Sequence, residues 1–453
     1  MLTGYEKIKA LARERRCLVT DLLVLARQHD PFFAGSETCR EMAEWFAELW
    51  RRFGYTTGVH LRRVHYQLVS QKDALKHNGT PYENTQGDWD YLCSAGKYAR
   101  YLGLVDPLAF VDRRNPEPHL FFAAEPPDRP GWYAGGVHWA MPEITVDLAA
   151  DLDWELPDFH VTGYAYTEAL QPYHLEVWVE KSTMDDVLLP LCRRYAVNLV
   201  TGLGFMSITS VVQLIQRVLR TGKPCRIFYI SDFDPAGDGM PVAVARQIEF
   251  WLQKYNPDLD VKVEHTALTR DQVVQYRLPR IPIKESDRRK AGFEKRYGEG
   301  AVELDALEAL HPGELARLVR ERILRFRDQS LWEKVAAARR EAKEKLATAW
   351  EEYLGPYRDR LEELRQKVAA VTARYQAWLD ELWAALEADL EPYRKELEML
   401  RLAVQNAVDQ LDIELPPLPE PETVPEDQDW LFDSRRDYFA QLAAYRARRG
   451  DTS

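Results

Sequence analysis

Apolar residues along this chain recur first at helical spacing, then as short alternating strands, then at helical spacing again. Between residues 38 and 53, Met42, Trp45, Phe46, Leu49 and Phe53 fall three or four positions apart, the period of one helix face. Thr38 and Glu41 have the spacing of a capping box at its start. Gly54 and Gly58 break the segment. A second helix is predicted over 60–70 (HLRRVHYQLVS) and a third over 88–102, where Trp89, Leu92, Ala99 and Leu102 share a face. Short helices parted by Gly-containing turns suit a helix-turn-helix or winged-helix module. Other small helical folds give the same pattern, so the spacing alone does not assign DNA binding.

Residues 115–160 are rich in Pro, Gly and Trp and predict irregular structure at a domain boundary. From residue 175 the text changes to LEVWVE, a helix near 184–194, VNLV, a Gly-containing loop, a helix near 207–220, and RIFYIS. Strands alternating with helices predict a parallel sheet joined by crossovers. Beyond 330 the helical period returns. Nineteen apolar positions from Leu346 to Leu411 recur on average every ~3.6 residues, the period of straight packed helices rather than the 3.5 of a heptad coil. Gly355-Pro356 is expected to end or kink the first of these helices, and Pro392 to open another at its first turn. Residues 416–429 hold five Pro and five acidic residues, which predicts an extended, solvated linker, and an aromatic helix with basic residues follows over 430–449.

The implied order is a helical segment 1–35, a first domain 36–115, a connector 116–170, an α/β domain 171–315, a long helical hairpin 316–415, the linker 416–429, and a terminal helix and tail 430–453. With 453 residues, 46% hydrophobic, the chain can bury several cores. Its net charge of −12 does not mark a nucleic-acid binder, but residues 1–115 carry 17 basic and 14 acidic side chains, leaving the acidity downstream. The five cysteines stand far apart, with no CxxC pair or zinc spacing, and read as reduced core residues. The start has no apolar signal region, which predicts a cytoplasmic protein. Tyr195 to Gln216 lacks charge over a membrane-spanning length, yet its glycines and polar side chains argue for a strand, loop and helix, and for no membrane partner.

Candidate chemistry centres on Asp232-Phe233-Asp234 at the C-terminal end of RIFYIS, where parallel sheets present their ligand loops. Strand alternation turns both carboxylates to one side. Glu180 ends LEVWVE, so three carboxylates converge if the two strands are neighbours. Such hard oxygen donors suit Mg²⁺, with Mn²⁺ as a substitute, at a site of phosphate chemistry. Taken alone, an Asp-x-Asp after a strand is as well read as a turn with solvated acids.

LEVWVEK, VTGLGFMS and FYISDFDPAGDGM together resemble the TOPRIM domain of the DNA topoisomerase VI A subunit and Spo11 family. Glu180 and Lys181, Gly204, and Asp232, Asp234, Pro235 and Gly237 occupy the family's motif positions. Met206 stands where that family often has Pro. The family also carries an upstream winged-helix (CAP-like) domain with Arg-x-x-Tyr-Tyr, and LRRVHYQ supplies Arg62, Arg63, His65 and Tyr66, with His65 in place of the first Tyr. The resemblance, which covers roughly 36–312, implies Tyr66 as nucleophile toward DNA, with Arg62 and Arg63 as candidates to hold the scissile phosphate, and Glu180, Asp232 and Asp234 on Mg²⁺; His65, the departure from the family pattern, reads as a group orienting Tyr66 or the phosphate and equally as a packing or surface residue. A phenol of pKa about 10 needs such positive charge to act near neutrality. FVDRR (Asp112, Arg113, Arg114), RLPRIPIKESDRR and VELDAL (Glu303, Asp305) resemble accompanying segments, and each is also readable as surface charge.

The expected architecture is thus a winged-helix domain, a TOPRIM α/β domain with a parallel sheet, and a C-terminal long-helix hairpin. The expected activity is Mg-dependent cleavage of double-stranded DNA by a homodimer, leaving a 5′-phosphotyrosyl link. The chain has neither a GxxxxGK[ST] loop nor a gyrase/Hsp90-type ATPase domain, so relaxation without ATP or plain breakage is expected, and a separate ATPase B-type subunit stays an open question. Two rivals stand beside this. One is a TOPRIM metal endonuclease of a plasmid- or phage-defence system without a covalent Tyr. The other is a non-catalytic DNA-binding or assembly factor whose long helices recruit an unknown partner.

Overall fold

The structure is a computed structural model that describes residues 4–111, 116–122, 128–136, 138–140, 153–202, 204, 206–375, 383–423 and 430–449; Asp112, Arg113 and Arg114 lie outside them. The chain is a mixed α/β protein with a parallel-containing sheet and long helices toward its C-terminal end. It divides into two compact units. Met1–Glu125, Gln171–Asp328 and Glu422–Ser453 make the first, and Pro126–Leu170 with Gln329–Pro421 make the second.

Four helices open the first unit: α1 (Gly4–Arg15), α2 (Glu37–Arg52), α3 (Leu61–Val69) and α4 (Gln86–Leu102). The residue before α2 is Ser36, whose side chain makes no capping bond, so Thr38 lies inside the first turn and the expected Thr38/Glu41 box is not its cap. Its buried stripe of Cys39, Ala43, Phe46, Ala47, Leu49 and Trp50 packs on α4, where Leu92, Ala95 and Ala99 are wholly enclosed. Thr85 caps α4 by accepting from the Asp88 amide, and Gly103, at φ +76°, ends it in the left-handed conformation that favours glycine.

The sheet of the first unit is built from β1 (His174–Val179), β2 (Asn198–Thr201), β3 (Cys225–Ile230) and β4 (Val261–Ala267), in spatial order β2-β1-β3-β4 and all parallel. Helices α5 (Asp185–Arg194), α6 (Ile208–Thr221) and α7 (Met240–Tyr255) connect them. Central strands covered on both faces have no solvated side, and β1 and β3 are accordingly buried along their whole lengths. Alternation then sorts the side chains. Trp178, Val200, Ile227 and Tyr229 enter the core shared with α6 and α7, while Val177, Val179, Phe228 and Ile230 enter the one shared with α5 and, later in the chain, α11. The polar exceptions are paired: Glu176, fully buried on β1, accepts two 2.8 Å bonds from Arg217 of α6 and one from Trp178 Nε1. After β4 come α8 (Arg270–Gln275), α9 (Lys290–Tyr297), α10 (Leu304–Leu310) and α11 (Glu314–Arg325). The expected hairpin segment from 316 therefore begins with a helix of the first unit, because Leu315, Val319 and Ile323 are buried in its sheet core.

In the second unit α12 (Leu331–Tyr375) packs on α13 (Trp383–Asp409) through Leu354, Leu361 and Leu364 against Leu397, Leu400 and Val404. Helix α12 runs through Gly355-Pro356 unbroken, and Pro392 lies inside α13 rather than at its start. An interior proline costs roughly 3 kcal/mol, and the buried Leu354, Leu361, Leu364 and Leu397 flanking the two prolines offset it. The connector expected to be irregular holds two antiparallel ribbons, 131–134 with 159–162 and 138–140 with 153–155. Leu415 and Leu418 pack with Tyr164 on Ala338 and Ala342, so the described part of the Pro/acidic segment is extended but docked; residues 424–429 lie outside the described residues.

The chain then returns to the first unit. Strand β5 (Phe432–Asp433) adds antiparallel to β4, and α14 (Tyr438–Arg449) follows. Tyr438 Oη donates to the Leu22 carbonyl and accepts from buried Arg246, which also pairs with Asp30 and Glu249.

Candidate functional site

Because β1 and β3 are parallel neighbours, Val179 and Ile230 stand side by side, and the residues that follow each leave the sheet at the same edge. Glu180 donates its amide to the Ile230 carbonyl, and its Oε2 accepts from the Asp232 amide at 3.3 Å. Asp234 folds back: its Oδ1 accepts from the amides of Ala236 and Gly237 at 2.8 and 2.6 Å, an Asx turn that fixes one oxygen. Gly237 is required for that turn, since a Cβ there would lie 2.0 Å from the Asp232 carbonyl oxygen.

The three carboxylates crowd each other. Burial, and then the charges of Asp232 and Asp234, push the Glu180 carboxyl up to about 7. Burial also raises Asp232, against the pull of Lys181 and the Leu304 amide. Carboxylates held this close each disfavour the charged form of their neighbour. Among the described residues no three His, Cys, Asp or Glu side chains already stand at ligating geometry; Lys181 Nζ lies 2.7 Å from Asp232 Oδ2. The hard oxygen donors and their excess negative charge fit Mg²⁺ or Mn²⁺.

A downstream segment completes the site. Val302 and Phe233 exchange two 2.9 Å backbone bonds, and the Leu304 amide donates to Asp232 Oδ1 at 2.8 Å. Glu303 and Asp305 are thereby carried to within 3.6 and 3.5 Å of Lys181 Nζ. Asp238 turns away, bound to Arg296 and Tyr297. Behind the turn, Arg448 of α14 lies 2.9 Å from His265 Nδ1, His265 Nε2 is 3.0 Å from Ser231 Oγ, and Ser231 Oγ is 2.9 Å from the Gly237 carbonyl. A guanidinium only donates, so the order is fixed: Arg448 donates to Nδ1, Nε2–H donates to Ser231, and Ser231 donates to Gly237. Burial holds His265 well below its ordinary value and neutral.

Beside this lies a cleft of about 1380 Å³ between the N-terminal helices and the α/β part. Lys97 and Arg100 of α4 line it from one side, with Lys284, Arg288 and Arg289 from the segment before α9; Asp90 and Asp287 are its acidic members. Arg289 is held charged by its pair with Asp287, and it also feels Asp234 and Glu180, which joins the basic cleft to the acidic cluster.

The structure thus brings Glu180, Asp232 and Asp234 together. It places Arg62, Arg63, His65 and Tyr66 on α3, whose Leu61 lines the cleft. Tyr66 is 64% exposed; no hydrogen bond or ion pair among the described residues joins its hydroxyl, Arg62 or Arg63 to the carboxylates. His65 is buried and bound to Tyr82 Oη at 2.7 Å and Asn84 at 3.2 Å, so it anchors α3. The spacing of LEVWVEK and SDFD signalled Lys181 only as part of a motif, and nothing local signalled His265 or Arg448. A comparison with protein-family models finds no match, and a search of curated proteins finds no significant relative.

Proposed function

We propose that this chain is a divalent-metal-dependent DNA-cleaving enzyme similar to the topoisomerase VI A subunit, with a winged-helix (CAP-like) first domain, a TOPRIM α/β domain, and a cytoplasmic homodimer as its working form. The observation that carries the reading is the convergence of Glu180, Asp232 and Asp234 at the carboxyl end of a parallel sheet, beside a cleft lined by five basic side chains. Glu180, Asp232 and Asp234 would hold the ion, which supplies positive charge to the departing 3′-oxygen. Lys97, Arg100, Arg288 and Arg289 neutralise backbone phosphates of the duplex. Tyr66 Oη forms the bond to phosphorus, the P–O3′ bond breaks, the phenol proton leaves, and the 3′-oxygen takes up a proton to become a free hydroxyl.

The exposure of Tyr66 suits a nucleophile offered to the other protomer's site. That no hydrogen bond among the described residues joins its hydroxyl to the carboxylates, with His65 committed to the fold, favours a second reading, a metal endonuclease in which water is the nucleophile. Supercoiled plasmid with Mg²⁺ or Mn²⁺ and no ATP, quenched in detergent and run with and without protease, separates the two. Protease-sensitive protein on the ends, lost in Tyr66→Phe and in Asp232→Ala, supports the covalent reaction. Protein-free breaks that persist in Tyr66→Phe and vanish in Asp232→Ala support the endonuclease, and DNA retention with no cleavage under any condition leaves a binding factor.

A further inference from the structure

The acidic edge carries more charge than one divalent ion balances. Glu180, Asp232, Asp234, Glu303 and Asp305 gather there, and sites of this kind often hold two ions roughly 4 Å apart. Part of this acidic group is already paired. Lys181 Nζ lies 2.7 Å from Asp232 Oδ2, 3.5 Å from Asp305 Oδ2 and 3.6 Å from Glu303 Oε2, three carboxylates from two chain segments around one ammonium. The arrangement is fixed from both sides. Lys181 follows β1 directly, and Glu303 and Asp305 are tied to the Asp232 turn by the Phe233–Val302 pairing and the Leu304 amide. The remaining pair, Glu180 and Asp234, has no ammonium within ion-pair distance among the described residues.

We propose that Lys181 is the resident second cation of this site, filling between Asp232, Glu303 and Asp305 the position a second divalent ion would take, so that the site accepts one metal ion. This rests on the metal-site reading above. A tethered ammonium is a compact point charge on a flexible stem. It offers the phosphate a second positive centre with no dependence on free metal concentration.

Mn²⁺ binding to the full chain, followed by electron paramagnetic resonance and titration calorimetry, tests this without reference to activity. The wild type should bind one Mn²⁺ per chain. Lys181→Met, close in size and uncharged, should bind two, the second at least ten-fold tighter than any second ion in the wild type. Adding Glu303→Gln and Asp305→Asn to Lys181→Met should remove that second ion, and Lys181→Arg should keep the count at one; thermal unfolding confirms that each variant is folded. Two ions in the wild type, or one ion in a folded Lys181→Met, would overturn the assignment while leaving the metal site in place. A wild-type chain that binds no Mn²⁺ would remove the metal-site reading itself, and this proposal with it.

Discussion

Replacing Glu180 by Gln should stabilise the metal-free protein at pH 8 while abolishing the proposed cleavage of DNA. Burial and the neighbouring Asp232 and Asp234 lift the Glu180 carboxyl from 4.5 to about 7. A raised carboxyl means that the folded chain holds a proton that the unfolded chain has lost between those two values. Stability therefore falls as pH rises from about 4.5 to about 7, and the whole penalty is present above that window. A displacement of this size corresponds to roughly 3 kcal/mol, which water at the rim of the site reduces to about 2 kcal/mol. Gln keeps an oxygen for the Asp232 amide and carries no charge. Glu180→Gln should melt about 2–5 °C above the wild type at pH 8 and within a degree of it at pH 5. Mg²⁺ should raise the wild-type midpoint more at pH 8 than at pH 5 and raise that of the variant little. Differential scanning calorimetry at the two pH values decides it. A Glu180→Gln chain that melts at or below the wild type at pH 8 would refute the claim that the three carboxylates strain one another.

Other sites give sharper contrasts. Gly237→Ala must move the Asp232 carbonyl, so Mn²⁺ binding should be lost and the melting point should drop; a folded variant with wild-type affinity would count against the turn. Arg217→Met strands buried Glu176 and should cost about 3–5 kcal/mol in urea unfolding at pH 7. Arg217 holds the Glu176 carboxyl below the ordinary range against its burial, so that contribution should be full above about pH 4.5 and fade as the pH falls below it. His65→Ala removes the anchor to Tyr82 and Asn84 and should cost about 1–3 kcal/mol. Exposed Tyr66→Phe should leave the melting point within a degree, so the two neighbours separate structure from chemistry in one pair of melts.

The parts of this molecule that local pattern governs were legible in its sequence. Helices near 37–52, 61–69 and 86–102 and the alternation of strand and helix from 174 to 230 follow from spacing, glycine breaks and β-branched runs. The acids Glu180, Asp232 and Asp234 were legible because each ends a strand or follows one. What stayed hidden depends on tertiary contact. Nothing near Pro356 or Pro392 says that leucine packing would carry a helix through proline. His265 reads as a strand residue until Arg448, far along the chain, meets it. Glu303 and Asp305 reach Lys181 only because Val302 pairs with Phe233, a register that neither segment specifies alone. His65 reads from the sequence either as a companion to Tyr66 or as a packing residue, and its burial and bonds to Tyr82 and Asn84 decide for packing.

The excursion of the chain through the second unit has a consequence for the order of synthesis. Strand β5 closes the free edge of β4, and α14 brings Tyr438 to Arg246 and Arg448 to His265, only after residues 329–421 have been made. A ribosome that has completed β4 still holds a sheet with an open edge and an Asp232–Gly237 turn without its rear support. The site is therefore assembled late, after more than a hundred further residues have emerged, so during translation a nascent chain carries its carboxylates well before it carries the support that positions them.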